Sequence, residues 1–384
     1  MNTDRGTSVR IALDASNLAL EEPTGVAVYG INLINHIAAL DLENQYCLCC
    51  RLSRWKDRRY FFELAPENFQ TKIIQEPLNF RFTRKIDLFH GLDARIYDSK
   101  RVKNVVTIHD MLQYTNEFPA TRHPEKKIRR YERVLTKADR IIAVSGHTKR
   151  EILRYFPVDP EKIDIVHHGV EERFQPKDPE ATRNALQKYE IRLPYLLYVG
   201  TFENRKNLPR VLEAFSRVEN EYPKSVQLVL VGSSRLRGEE AREKLRTVAL
   251  GENVRAVGYV SRTDLPFLYS GALAFLFPTL YEGFGLPVLE AMACGAAVIT
   301  SNVTSLPEIA GDAALLVDPF DVDSIAQAIL QLLEDPELRT EYVRRGFRRA
   351  GEFSWERSAR ETLAVYRKTL KSASCSIGSS RSQE

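Results

Sequence analysis

The apolar run Leu273-Ala274-Phe275-Leu276-Phe277-Pro278 is followed closely by Tyr281-Glu282-Gly283-Phe284-Gly285-Leu286-Pro287-Val288-Leu289-Glu290-Ala291-Met292-Ala293. The run reads as a buried strand. The second stretch reads as a glycine turn opening a helix. Gly283 and Gly285 carry no Cβ, so main chain there can approach a ligand closely. Pro287 suits a first helical turn, where its missing N–H costs nothing. The free N–H groups and positive dipole end of that helix then face the turn, where an anion is stabilised. Glu290 is placed in the first turn of the helix and Glu282 before the glycines. Carboxylates beside a phosphate would repel it, so both acids are expected to accept hydrogen bonds from sugar hydroxyls. A nucleotide-sugar supplies a diphosphate for the turn and hydroxyls for the acids.

The same strand-then-helix rhythm runs through the chain. Strands are predicted at Val9–Leu13, Tyr46–Arg51, Lys72–Gln75, Asp87–His90, Val105–Ile108, Arg140–Val144 and Ile163–His167. A second series follows at Tyr195–Val199, Gln227–Val231, Val254–Val257, Leu273–Phe277, Ala297–Thr300 and Ala314–Val317. Helical stretches such as Val28–Leu40, Asn207–Glu221 and Asp323–Glu334 lie between strands. Such alternation predicts an α/β chain with parallel sheets covered by helices, here two Rossmann-like domains with a cleft between them. The rhythm breaks at Glu171–Asp178. The expected domains are 1–175 and 185–355, followed by a terminal helix at 356–370. From Lys371 the Ser-rich composition predicts a disordered tail to residue 384.

Composition bounds the possibilities. The chain has 384 residues, 43% hydrophobic and 28% charged, values of an ordinary globular enzyme large enough for two or three domains. A net charge of +4 is too modest to argue for nucleic acid. Residues 1–10 lack the apolar centre of a signal peptide, and no run reaches the roughly 18 apolar residues of a membrane helix. Cys47, Cys49 and Cys50 have no second cluster to complete a zinc site, and Cys47 and Cys49 are expected to pack on one face of a strand. A reducing cytoplasm fits this usage.

Gly200-Thr201-Phe202-Glu203-Asn204-Arg205-Lys206-Asn207 follows the strand Tyr195–Val199 directly. Helix starts usually attract acids. A basic pair there, at a strand's C-terminal end, points to an anionic ligand. Thr107-Ile108-His109-Asp110 ends another strand. No Asp-x-Asp sits where a metal would be held; Asp321-Val322-Asp323 reads as a helix cap. No metal or other cofactor is therefore expected.

With these pieces the chain resembles the retaining glycosyltransferases of the GT-B fold, particularly glycosyltransferase family 4. The resemblance covers nearly the whole chain and is stronger in its second half. It implies two domains facing across a cleft, and a terminal helix that crosses back onto the first. By resemblance, Arg205, Lys206, Gly283, Phe284, Gly285 and Glu290 bind the donor. His109 lies over its sugar, Glu282 hydrogen-bonds the sugar ring, and the Val260 backbone meets the nucleotide base. Val-Gly-Thr-Phe-Glu-Asn-Arg-Lys-Asn and Thr-Ile-His-Asp look most like bacterial mannosyltransferases of polysaccharide or O-antigen assembly. The implied reaction moves mannose from GDP-mannose to a glycan or lipid-linked acceptor. A sugar-nucleotide epimerase and a silent nucleotide-sugar-binding protein share the fold and stand as alternatives.

Other positions carry two readings. Gly25, in Thr24-Gly25-Val26-Ala27, either serves a turn or lines an acceptor site; the family's richer glycine loop is reduced here. Asp110 either orients His109 or caps a helix. Ser145 is a natural N-cap, and with Lys149 also falls on the edge the family uses. Gly232-Ser233 ends a strand that could line the nucleotide pocket. Residues 122–154 hold eleven basic and four acidic side chains. That run is either a solvated face or a peripheral contact with the inner face of a membrane.

Overall fold

A computed structural model describes residues 8–18, 24–51, 68–74, 86–115, 124–222, 225–232 and 252–378. It divides into two compact units, one made of Met1–Gly169 with Trp355–Glu384 and the other of Val170–Ser354. Ser233, Arg122 and residues 379–384 lie outside the described residues.

In the first unit the order is β1 (Arg10–Asp14), α1 (Gly25–Leu40), β2 (Gln45–Arg51), β3 (Phe69–Ile74), β4 (Leu88–Gly91) and β5 (Lys103–Ile108). Then come α2 (Pro124–Lys137), β6 (Arg140–Ala143), α3 (Gly146–Tyr155) and β7 (Ile163–Ile165). The sheet order is β3-β2-β1-β4-β5-β6-β7, with every pairing parallel. The chain lays strands outward from β1 to one edge, then returns to β4 and builds the other side. The crevice at such a switch, here between β1 and β4, is where open α/β sheets bind ligands.

The second unit repeats the scheme. It contains α4 (Pro179–Lys188), β8 (Tyr195–Val199), α5 (Leu208–Glu221), β9 (Gln227–Val231), β10 (Val254–Gly258), α6 (Leu265–Gly271) and β11 (Ala274–Phe277). Next are α7 (Leu286–Ala293), β12 (Ala297–Ser301), α8 (Leu306–Ala310), β13 (Leu315–Val317), α9 (Val322–Glu334) and α10 (Pro336–Gly351). The parallel order β10-β9-β8-β11-β12-β13 puts the switch between β8 and β11. Leu196, Tyr198, Leu228, Leu230, Leu276 and Ile299 from the sheet, Phe215 and Val218 from α5 and Ile325 and Ile329 from α9 form one buried core. Strands buried on both faces explain the near-continuous apolar runs. Asp321 caps α9, its carboxylate accepting from Asp323 N at 2.9 Å.

The last helix, α11 (Trp355–Gly378), belongs to the first unit. Tyr366 meets His90 of β4 at 2.6 Å, and Lys368 meets Asp164 of β7 at 3.1 Å. The helix runs to Gly378, past the expected end at residue 370. Ser, Ala and Cys do not break a helix, and Gly378 is the first residue of the tail that does.

The units divide before the compositional break at Glu171–Asp178. Val170 pairs with Ser354, and its N–H donates to Phe353 O at 3.1 Å. Phe174 is buried against Tyr269 of α6, so this stretch already packs with the second unit. Cys47 and Cys49 share a face of β2 with their sulfurs 3.9 Å apart, as the strand period requires.

Candidate functional site

Arg205 and Lys206 follow β8, and Glu282 follows β11. These strands are neighbours at the switch point, so residues 76 apart in sequence converge at their C-terminal ends. Lys206 Nζ lies 2.6 Å and Arg205 Nη1 3.1 Å from the same oxygen, Glu282 Oε1. Arg205 is also held by Glu203 at 2.9 Å and donates to Tyr281 O at 3.4 Å. Lys206 is 8% exposed, with its ammonium 4.7 Å from the Phe277 ring centre. Burial pulls its pKa below the ordinary lysine value, while the Glu282 carboxylate opposes the shift. The cations expected to hold a diphosphate thus neutralise the acid expected to meet the sugar. An anionic ligand entering here can take the two cations in place of Glu282 and so free that carboxylate for another partner.

The backbone holding this pair is tightly specified. Asn207 sits in the left-handed region at φ 62°, and its amide donates to Pro278 O at 2.8 Å and Pro319 O at 2.7 Å. Leu280 N donates to Arg205 O at 2.7 Å. On the other side, Ser305 Oγ donates to Glu282 O at 3.0 Å and Phe284 O at 2.8 Å, and so clasps the glycine turn. Gly285 has φ 114°, and a Cβ there would lie 2.7 Å from Leu306 Cδ2. Glycine is required at that position. It is the N-cap of α7, and Val288 N donates back to its carbonyl at 3.0 Å, so the helix starts directly from the glycine turn.

Glu290 lies in the second turn of α7, not the first, because the helix begins at Leu286. It is buried, with Oε1 3.2 Å from Arg262 Nη2 and Oε2 accepting from Tyr269 OH at 3.3 Å. Burial raises its pKa and Arg262 counters that. Arg262 also pairs with Glu171 and stacks over the Phe174 ring at 5.3 Å. Nothing in the periodic pattern marks Arg262, although it lies two residues after Val260. Val260 is buried in the loop after β10. Gly232 N donates to Gly258 O at 2.8 Å, and Gly200 N to Val231 O at 2.9 Å. A Cβ on Gly232 would lie 1.9 Å from Gly200 O. The loops after β8, β9 and β10 are therefore drawn together by bare glycine backbone.

In the first unit His109 follows β5 and its Nε2 meets Leu92 O, just beyond β4, at 2.8 Å. The Tyr29 ring of α1 touches it edge-on at 4.9 Å, and His168 lies 5.5 Å away. Beneath them Tyr29 OH meets Thr107 Oγ1 at 2.8 Å, Thr107 meets His90 Nε2 at 2.8 Å, and His90 Nδ1 meets Tyr366 OH. Burial lowers the His90 pKa to about 3, with His109 adding to the effect. His168 is depressed in the same sense, again chiefly by burial. Tyr29 and His90 carry no signal in the sequence because each sits where an ordinary core residue would.

Asp110 accepts from Leu112 N at 3.1 Å, opening a short 3-10 turn, and lies 3.7 Å from Lys127. Its bond to the N–H two residues on is that of an Asx turn. Gly25 is the first residue of α1, capped by Thr24, with open space where a Cβ would stand. Ser145 is buried and caps α3 through Thr148 N at 3.1 Å, while Lys149 Nζ donates to Ile163 O at 2.8 Å. These bonds give Ser145 and Lys149 architectural roles. The basic region is partly neutralised from outside itself: Arg133 and Lys137 meet Asp98, Arg130 meets Asp93 and Arg140 meets Asp164. Lys126, Arg129 and Arg150 face solvent. Among the described residues no helix is long and apolar enough to cross a membrane.

A family model described as Glycosyl transferases group 1 matches residues 180–349, and one described as Glycosyltransferase Family 4 matches residues 23–174. The chain is 38% identical over 290 residues to the O-antigen chain mannosyltransferase B of Escherichia coli, covering 73% of this chain and 74% of that protein. It is 29% identical over 283 residues to the serotype-specific mannosyltransferase WbdA of Escherichia coli. That alignment covers 71% of this chain and 34% of WbdA, so the chain spans about a third of that relative. Sucrose-phosphate synthase of Thermosynechococcus elongatus shares the fold at TM-score 0.76 and 25% identity, covering 95% of this chain and 100% of that one.

Proposed function

The chain belongs to glycosyltransferase family 4 and is a glycosyltransferase; from this we propose that it moves mannose from GDP-mannose to a hydroxyl of a glycan or lipid-linked acceptor, with retention. The similarity to O-antigen mannosyltransferases supports the choice of sugar. One geometric observation carries the donor site: Arg205 and Lys206 converge on one oxygen of Glu282 beside the Gly283–Gly285 turn. The two cations and the start of α7 take the diphosphate and stabilise its departure, so the proposal uses no metal. Glu282, released by the phosphate, accepts from the sugar ring hydroxyls, and Glu290 accepts from further hydroxyls of the donor. The first unit binds the acceptor, and His109, just after β5, is its candidate catalytic side chain. In this scheme the departing phosphate takes the acceptor proton on the face from which it leaves. The exposed cations Lys126, Arg129 and Arg150 give the first unit an attraction to anionic lipid bearing the acceptor.

Purified protein, a panel of nucleotide-sugars and a lipid extract test this. Extract-dependent GDP release from GDP-mannose is the expected result. Release only from a UDP-sugar overturns the donor assignment. A changed sugar in recovered nucleotide, without release, makes the protein an epimerase.

A further inference from the structure

Arg262 meets two carboxylates at once. Its Nη2 pairs with Glu171, the second residue of the second unit, and lies 3.2 Å from Glu290 Oε1. The far oxygen of Glu171 is taken by Arg173 at 2.7 Å, and that of Glu290 by the Tyr269 hydroxyl at 3.3 Å. Glu290 is 5% exposed. A carboxylate so buried gains a proton unless a cation holds it ionised, and Glu171, as a second negative charge, pushes it the same way. Arg262, Glu171 and Tyr269 act on it, and the buried Cys294 thiol, one turn further on at the end of α7, interacts with it as well. Protonated Glu290 becomes a hydrogen-bond donor at one oxygen and loses the acceptor strength that hydroxyl recognition requires.

We propose that Arg262 is a positioning residue for donor binding, keeping Glu290 ionised and aimed, with Glu171 competing for the same guanidinium. This rests on the donor-site reading above. Arg262 reaches Glu290 from the loop after β10, two residues beyond Val260. It therefore ties the loop assigned to the nucleotide base to the acid assigned to its hydroxyls. Because Glu171 stands one residue past Val170, where the chain enters the second unit, the same cation also links the donor acid to the connecting segment.

Titration calorimetry with GDP-mannose on the full chain tests the idea at pH 6, 7 and 8, alongside thermal unfolding. R262Q is expected to weaken binding by about tenfold at pH 7, the cost of one charge-assisted contact. The loss grows at pH 6 and shrinks at pH 8, as Glu290 takes up and releases its proton. R262K restores most of the affinity, since one cation suffices for Glu290. E171Q leaves Arg262 to Glu290 alone and binds more tightly at pH 6; weaker binding by E171Q overturns the proposal, and this arm decides if R262Q fails to fold. E290Q weakens binding with no such pH dependence. Wild-type affinity in R262Q, with a lowered melting temperature and a weakened E290Q, makes Arg262 architectural and overturns the proposal alone. Wild-type affinity in E290Q overturns the donor-site reading and the proposal together.

Discussion

Glu282 is the residue on which most of the site turns. It holds Lys206 and Arg205 through one oxygen, with Ser305 fixing the backbone carbonyl behind it. E282Q keeps the shape and removes the charge, so transfer is expected to fall by about 10² or more while the chain stays folded. Sugar release from nucleotide and thermal unfolding, measured together, check this. K206A leaves Glu282 with Arg205 alone and is expected to abolish transfer, by loss of the charge on the phosphate. Asn207 has a different role. Its amide serves two buried carbonyls from a left-handed backbone. N207A orphans both carbonyls and strains φ, a cost of about 2 to 4 kcal/mol visible in denaturant unfolding. Glutamates and basic residues beside glycines are legible as chemistry in one dimension. The partners that set their state are not, because Arg262 and Ser305 reach the site only through tertiary contacts.

At the scale of elements, strands and helices were legible because burial on both faces leaves β-branched and aromatic runs, and turns carry Gly, Pro, Asp or Ser. The expected Ala297–Thr300 strand is β12 with one residue added, and the expected strand at 227–231 is β9 unchanged. Ends were less legible. Glu290 fell one turn deeper than placed, since Pro287 stands second in α7 after Leu286. The terminal helix passed through a Ser-rich stretch that composition marked as a tail. The glycine turn before α7 makes a sharp test. G285A must keep φ near 114° with a methyl pressed on Leu306. Expected are a stability loss of about 1 to 3 kcal/mol and weaker donor binding, read by unfolding and calorimetry.

For the whole molecule the buried imidazoles of the first unit set a pH limit. His90 is neutral in the folded chain down to about pH 3. The unfolded chain takes up that proton near pH 6.5. A folded pKa below the unfolded one means stability is complete above about pH 6.5 and declines as pH falls toward 3. His168 contributes in the same direction. H90Q is expected to be less stable at pH 7, having lost the fit to Tyr366 and Thr107, yet to lose less on acidification than the parent chain. Melting temperatures from pH 7.5 to 4 check this. A parallel decline in both would assign the acid sensitivity to other groups.

Sequence alone determined the two α/β sheets, their strands and the glycine turn that opens a helix after β11. Those follow from local rules, namely periodicity, turn chemistry and dipole direction, which act over a few residues. Tertiary structure decided which charges meet. Glu282 sits with Arg205 and Lys206 because β8 and β11 are neighbours at a switch point, an outcome of strand order. The surplus charge read in the basic region shrank for the same reason: Asp98, Asp93 and Asp164 come from segments that a count over 122–154 omits. Electrostatic state depends on distance in space, and strand order sets that distance.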